Sequence, residues 1–372
     1  MKVLVVLKDP PLHEGSAPAK TAVGLLRGLV GHGVDVRALA ARQHFAPGGA
    51  PAADLPVEVV DVPPERPSLR LHAERLRRPR GELGRGVFAE RVREAAKEAD
   101  VVHLEETETL WAYRGSAPAV IHVHYLVRRD RPLRPPWSEA GRELLEFALA
   151  ERAALRRFHY LVASSPEIEA ELRRRAPRAE VVVAPLALDP VHYEPAPLDE
   201  PVAGLIGTAA WPPTAAAALR LVKDVWPLVR RAVPGARLRV AGRGMDALFQ
   251  GAEGVEVAGA VPSAAAFFHG LSVLLFPLAR GSGMKVKTLE ALASGVPVVT
   301  TPAGAEGIQG DEGVVVAEAD EELANAAAAM LRDEAERRER GSAARSAFER
   351  RYSPGPATAP IVELYRRIAS LR

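Results

Sequence analysis

The chain has 372 residues, 48% of them hydrophobic and 26% charged, with a formal net charge of +2. That profile suits a globular chain of about two domains and gives no global electrostatic case for binding nucleic acid. It has no cysteine, so disulfide frameworks, cysteine–zinc sites and thiol nucleophiles are excluded together.

The start, "MKVLVVLKDPP", opens on an apolar run too short for a signal peptide or a membrane span, and no later segment is long and apolar enough to cross a bilayer. A cytosolic protein is expected, with any membrane contact peripheral. Strands are predicted from Val3, Val101, Ala119, Val181, Leu238, Ser272 and Val296, each a short and continuously apolar run. Such runs suit strands buried on both faces of a parallel sheet. Helices are predicted over Thr21–His32, Ser138–Phe158 and Pro213–Val233, and from the Ser165-Pro166-Glu167 start, where serine caps, proline opens and acid follows. Two more are predicted over Met284–Ser294, stopped by Gly295 and Pro297, and over Ala357–Leu371.

This alternation means an α/β architecture. It pauses once, at the proline- and acid-rich, aperiodic stretch Ala184–Gly204. The expected organisation is therefore a first domain at 1–185, a linker at 186–203, a second domain at 204–352 and a closing helix at 353–372. The segment Glu65–Lys97 carries nine arginines and one lysine against five acids, which reads first as a solvated helical face.

The stretch "ARGSGMKVKTLEALASGVPVVTTPAGAEG", from Ala279, combines two unusual choices. Gly281 and Gly283 permit close backbone approach, and they lead into a helix whose start holds Lys285 and Lys287. A helix N-terminus favours anions, so two cations there gain nothing from the backbone. Lysine is also scarce, with seven against 42 arginines. The pair becomes complementary once a diphosphate sits on the loop amides. The plainer alternative is a surface pair of Lys287 with Glu290.

At the carboxyl ends of two presumed strands lie His103 with Glu105, and His122 with His124. In an open α/β sheet that edge is where ligands bind. The alternatives are structural histidines, or a metal site built from His103, His122, His124 and Glu105. Glu105, Glu106 and Glu108 read either as a solvated loop or as hydroxyl recognition. Arg128, Arg129, Arg131 and Arg134 form a second basic cluster, suited to an anionic acceptor or an acidic membrane surface. No G-x-S-x-G, P-loop or G-x-G-x-x-G after the first strand is present.

"GSGMKVKTLEALASGVPVVTTPAGAEGI" resembles the donor-site signature of the family-4 retaining glycosyltransferases. With "LIGTAAWPPTAAAALRLVKDVWPLVRRAVPGARLRVAGRG" it is similar, more narrowly, to bacterial exopolysaccharide-type sugar transferases. The resemblance implies the GT-B fold, two facing Rossmann-like domains with a C-terminal helix crossing back to the first. It implies an acceptor-binding first domain, a second domain binding a nucleotide diphosphate sugar, and metal-independent transfer of a hexose-type sugar with retention. It names no cofactor. The acceptor would be a glycan, a lipid-linked compound or a small molecule, with peripheral contact to an anionic membrane as a further expectation.

Residue by residue, the resemblance places Glu290 on the nucleotide ribose and Lys287, with Lys285 or Arg280, on the diphosphate. Gly281 and Gly283 would bring amides to phosphate or sugar, and Gly207 and Thr208 match the loop after the first donor-domain strand. On the acceptor side Gly15 matches a loop glycine, and His124 matches a histidine near the reaction centre; His103, Glu105 and His122 stand beside it. Ser282 occupies the position of a family glutamate that contacts the transferred sugar, and "GTAAWPPT" lacks the arginine and lysine often found there. A sugar-nucleotide epimerase, a phosphorylase or a non-catalytic partner subunit of the same fold are the alternatives.

Overall fold

The computed structural model describes residues 1–43, 49–64, 74–75, 77–195, 200–249, 251, 254–308 and 313–371. Part of the arginine-rich segment, at 65–73 and 76, lies outside the described residues. The chain forms two compact units, Met1–Asp189 with Ser353–Arg372, and Pro190–Tyr352. The aperiodic stretch is thus divided, its start belonging to the first unit and the remainder to the second.

Among the described residues the first unit has seven strands: β1 (Lys2–Leu7), β2 (Asp35–Gln43), β3 (Val57–Val62), β4 (Val101–Glu105), β5 (Ala119–Val123), β6 (Tyr160–Ala163) and β7 (Glu180–Val183). They lie in the order β3-β2-β1-β4-β5-β6-β7, and every neighbouring pair is parallel. Its helices are α1 (Ala17–Gly31), α2 (Gly86–Ala95), α3 (Val127–Asp130), α4 (Glu139–Arg157) and α5 (Pro166–Arg175). One face of the sheet packs Leu4, Val102 and Ile121 under Phe88, Ala154 and Ile168 from α2, α4 and α5. The other packs Val5, Val101 and Val120 under Leu26 of α1 and under Ile361 and Leu364 of the closing helix. Both faces being covered explains why the strands read as unbroken apolar runs.

Among the described residues the second unit has six: β8 (Val202–Ile206), β9 (Arg237–Ala241), β10 (Val255–Ala258), β11 (Val273–Phe276), β12 (Val298–Thr300) and β13 (Val314–Val316). Their order is β10-β9-β8-β11-β12-β13, again parallel throughout. The predicted helix Pro213–Val233 is found as α6 (Pro212–Arg220), one wide turn at Leu221–Val225, and α7 (Trp226–Ala232). Pro227 lacks an N–H and cannot extend the regular ladder; Trp226 N–H reaches back to the Leu221 carbonyl instead. Then come α8 (Met245–Leu248), α9 (Ala264–His269), α10 (Val286–Ala293), α11 (Asp320–Arg332) and α12 (Glu334–Arg351).

The closing helix α13 (Pro354–Ala369) starts three residues earlier than predicted, because prolines in a first turn forfeit no hydrogen bond. It packs on α1, where Gly28 permits the approach: a Cβ there would fall on the Pro354 carbonyl and the Thr358 side chain. Strand order reverses direction between β1 and β4 in one sheet and between β8 and β11 in the other. These two switch points, at the carboxyl ends of the strands, are where such sheets leave a ligand crevice.

Candidate active site

In the second unit three loops meet at the switch point. After β8, Gly207 donates its N–H to the Ala241 carbonyl at 2.9 Å, and Ala209 N–H and Thr208 Oγ1 reach the Arg243 carbonyl at 2.9 and 3.5 Å. After β11 the chain runs through Arg280, which is exposed, and through Gly281 and Ser282, which are buried. Gly283 follows at a φ of 67°, a region glycine enters without penalty. Its N–H donates to Glu306 Oε1 at 2.8 Å, tying this loop to the one after β12. Lys285 caps α10 with extended backbone rather than lying inside its first turn, and its ammonium donates to the Gly283 carbonyl.

Lys287 does not pair with Glu290 on the surface. Its Nζ donates to Thr214 Oγ1 at 3.1 Å and lies 4.5 Å from the centre of the Phe276 ring. A Cβ added at Gly207 would stand 3.1 Å from that Nζ, so the glycine leaves room for the ammonium beneath the β8 loop. Burial lowers the Lys287 pKa to about 8, helped by Lys285 and opposed by Glu290. Glu290 is buried, and its Oε1 accepts the Tyr193 hydroxyl at 2.8 Å.

In the first unit β4 and β5 are in register with Glu105 opposite His122. Period two puts His103 and Glu105 on one face of β4 and His122 on the same face of β5, with His124 just past the end of β5. Glu105 gathers all three imidazoles: His103 Nε2 at 2.7 Å, His122 Nδ1 at 3.2 Å and His124 Nε2 at 2.7 Å. The Tyr365 hydroxyl of α13 meets His103 Nδ1 at 2.6 Å. A carboxylate only accepts, so His103 carries its proton on Nε2 and accepts from Tyr365 on Nδ1.

Burial opposes ionisation of Glu105, yet His122, His124 and the hydrogen bonds outweigh it and hold its pKa well below the usual carboxylate range. Burial pushes His122 down to about 4. It acts on His124 in the same sense, but Glu105 outweighs it and raises that pKa. Of His122 and His124, it is therefore His124 that is favoured to carry charge.

Beside this cluster Lys8, at the end of β1, holds Glu106 Oε2 at 2.6 Å and Glu108 Oε1 at 2.9 Å, and Tyr125 donates to Glu108 Oε1 at 3.1 Å. The solvated-loop reading of Glu105, Glu106 and Glu108 is overturned, since all three are buried. Two carboxylates share one ammonium: burial raises Glu106 to about 7 against the pull of Lys8, while for Glu108 the pull of Lys8 and Arg80 overcomes burial and holds it near 2. Glu106 also sits at φ 66°, ψ 159°, a conformation nearly reserved for glycine and typical of strained functional loops.

Of the residues singled out from sequence, His103, Glu105, His122 and His124 come together in one unit, and Gly207, Gly283, Lys285, Lys287 and Glu290 surround one edge of the other. His103 is fully buried, bonded to Glu105 on one side and to Tyr365 on the other. Gly15 lies exposed in the loop before α1, and Lys8 at the start of that loop reaches Glu106 and Glu108. His103, Glu105 and His122 could also present metal-ligand atoms within 4.8 Å of one another, yet Glu105 is already satisfied by imidazoles. Sequence reasoning missed Lys8, Tyr193, Thr214, Arg243, Glu306 and Tyr365. Thr214, Arg243 and Glu306 stood inside quoted motifs; Lys8, Tyr193 and Tyr365 act across long sequence separations with no local signal.

A family model described as glycosyl transferase 4-like domain matches residues 16–187, and one described as glycosyl transferases group 1 matches residues 200–333. No curated protein matches the chain. Among solved structures, sucrose-phosphate synthase from Thermosynechococcus elongatus has a TM-score of 0.71 at 16% identity, over 100% of both chains. WaaG, a glycosyltransferase involved in lipopolysaccharide biosynthesis, has a TM-score of 0.65 at 14% identity, over 99% of both. HepE from Anabaena, in complex with UDP and glucose, has a TM-score of 0.64 at 17% identity, over 99% of this chain and 100% of that one. At such identities the likeness is one of fold. With one family model on each unit and the parallel sheets of GT-B in both, the chain belongs to the GT4-like glycosyltransferases and is a GT-B glycosyltransferase.

Proposed function

We propose that the second unit binds a nucleotide diphosphate sugar and that the enzyme transfers the sugar, with retention of anomeric configuration, to an acceptor hydroxyl bound by the first unit. The observation that carries this reading is the placement of Lys287 under Gly207, within reach of anything held by the β8 loop and the start of α10. Lys287 and Lys285, with Arg280 at the rim, would meet the charge that develops on the leaving diphosphate. Glu290, held by Tyr193, would accept ribose hydroxyls. Amides at Gly207, Thr208, Gly281 and Gly283 would approach phosphate and sugar. Glu306 would fix the Gly283 loop, and through it the position of Ser282.

Transfer would proceed without a metal ion, lysines taking the place of a divalent cation. Retention would follow from attack on the same face as departure, the leaving phosphate accepting the acceptor proton. His124, oriented by Glu105, would contact the transferred sugar. Acceptors of the expected classes are a glycan, a lipid-linked compound or a small molecule, and peripheral contact with an anionic membrane belongs to the same reading.

A thermal-shift screen with UDP, GDP, dTDP and ADP and their sugars tests the donor class: one nucleotide series should raise the melting temperature, and no shift with any would contradict the reading. Incubating the stabilising nucleotide sugar without acceptor separates transfer from epimerisation, since an epimerase converts it alone. Full activity after chelation supports metal independence, and loss restored by a divalent cation would contradict it.

A further inference from the structure

Three segments of the first unit, 78–80, 110–114 and 155–159, are tied together by hydrogen bonds. Trp111 Nε1 donates to the Pro79 carbonyl at 2.8 Å. Arg157, the last residue of α4, donates to the Leu110 carbonyl at 3.1 Å and to the Tyr113 carbonyl. Beside Arg157, between the ends of α4 and α5 and the starts of β6 and β7, lies a cleft of about 450 Å³. It is at the edge of the sheet where the strands begin, opposite the edge that carries His122 and His124. Arg156, Arg157, His159, Arg175 and Arg178 line it.

Little negative charge offsets these arginines. Arg175 pairs with Glu151. Arg156 and Arg178 are exposed, and among the described residues neither side chain has an ion pair or a hydrogen bond. The acids of the neighbouring segments are engaged elsewhere: Glu169 with Arg173, Glu171 with Arg174 and Glu180 with Arg367. Positive charge continues from Arg157 to Arg114, Arg78 and Arg93, the last two from the arginine-rich segment Glu65–Lys97. Burial and the charges of Arg78 and Arg93 lower the pKa of Arg114. Burial, Arg114 and Arg78 lower that of Arg157 against the pull of Tyr113, and no described carboxylate offsets either shift.

A helix carboxyl end favours cations, which accounts for Arg93, Arg156, Arg157 and Arg175 in the last turns of α2, α4 and α5. It does not account for Arg78, Arg114 and Arg178, which lie outside the helices. Like charges gathered without acids repel one another unless an anion joins them. Arg157 is also held in place: two carbonyls fix its fork, the Phe158 ring centre lies 5.2 Å away, and its remaining N–H groups are left to donate. Such forks match phosphate oxygens, and the cleft has the volume of a small-molecule site. Arg156, Arg157 and Arg178 together carry more charge than one phosphate group neutralises. Leu155 and Phe158 in the lining are buried, so the cleft offers a bilayer no large apolar side chain to insert.

We infer that this cleft is a second anion site, which binds a small soluble compound carrying two or more phosphate groups. It shares no residue with the nucleotide site of the second unit, so the two assignments stand or fall separately.

The test is calorimetric titration of the full chain with inorganic tripolyphosphate, free of divalent metal, at neutral pH. At about 0.15 M salt, attraction between exposed charges is screened beyond roughly 8 Å, so a diffuse basic surface contributes little. Wild type should bind. Arg156→Glu with Arg178→Glu should weaken that binding at least about tenfold, and Arg156→Gln with Arg178→Gln about threefold or more. Both side chains are exposed, so these variants should keep the wild-type melting temperature and nucleotide affinity. Lys287→Ala should retain the binding that the double variants lose, which separates this site from the donor site. No binding by wild type, unchanged affinity in both double variants, or loss confined to Lys287→Ala would each overturn the inference.

Discussion

At the scale of single residues, the two lysines that looked misplaced at the start of α10 have different positions and different tasks. Lys285 is a cap residue that binds its own loop; Lys287 is a half-buried residue whose ammonium has a hydroxyl and an aromatic ring for company. With its pKa lowered to about 8, Lys287 loses charge as pH rises through that value in the free enzyme. A bound diphosphate favours the ammonium, so binding takes up a proton and weakens as pH rises, by up to about tenfold per unit above the free-enzyme pKa. Calorimetry in buffers of different ionisation enthalpy should show that uptake near this pH; a pH-independent affinity with no proton uptake would contradict it.

Glu105 makes the opposite kind of prediction. Its carboxylate raises the pKa of His124, so Glu105→Gln should lower that pKa and shift the His124 imidazole titration, followed by NMR, toward lower pH. Turnover should fall about 100-fold with little change in donor KM, as expected for loss of orientation at a reacting group. An unmoved titration would remove Glu105 from this role. The histidines and Glu105 were legible because period two on adjacent strands puts them on one face. Lys8 and Tyr365 were not, being 98 and 262 residues away from the groups they bind.

At the scale of elements, the strands read best from sequence are those buried on both faces. β2 alternates charged and apolar positions only at Asp35-Val36-Arg37, ahead of a small-residue run at Ala38–Ala41, and β10 places Glu256 between Val255 and Val257, so neither carries the branched apolar run that marks β1. The wide turn before α7 was hidden for another reason: Pro227 announces a break, but in the helix it is absorbed by a longer hydrogen bond. The packing of α13 on α1 depends on Gly28, whose absent Cβ admits Pro354 and Thr358. Gly28→Val should cost about 1–3 kcal/mol through overpacking. That corresponds to a fall in melting temperature of about 2–4 °C per kcal/mol for a domain of this size. A variant that melts like wild type would show that the two helices separate without loss.

At the scale of the molecule, the two units differ in how the chain builds them. The second is continuous from Pro190 to Tyr352, whereas the first needs Ser353 onward to finish it. Ile361, Leu364, Tyr365 and Ile368 of α13 are buried in its core, and Tyr365 completes the histidine cluster. The segment 190–352 alone should therefore fold cooperatively and bind nucleotide. The segment 1–189 alone should expose apolar surface and aggregate or melt far below the full chain; a stable, soluble 1–189 would show that α13 is dispensable to it. Sequence marked both units and the closing helix, because strand–helix alternation and the aperiodic stretch are local signals. Which unit the closing helix joins came from the resemblance, since nothing local to the helix says where it packs.

The central claim is that the loops after β8 and β11, with Lys287 and Glu290, hold a nucleotide diphosphate. Its most direct test is the dissociation constant of the stabilising nucleoside diphosphate for wild type, Lys287→Ala and Glu290→Ala, measured by titration calorimetry near pH 7. Each variant loses a charge-assisted contact worth about 1.5–3 kcal/mol, so each should bind about 10- to 100-fold more weakly; Lys287→Ala should keep its ligand-free melting temperature, while Glu290→Ala, which also removes the acceptor of the Tyr193 hydroxyl, should melt somewhat lower. Wild-type affinity in both variants would contradict the assignment of the site.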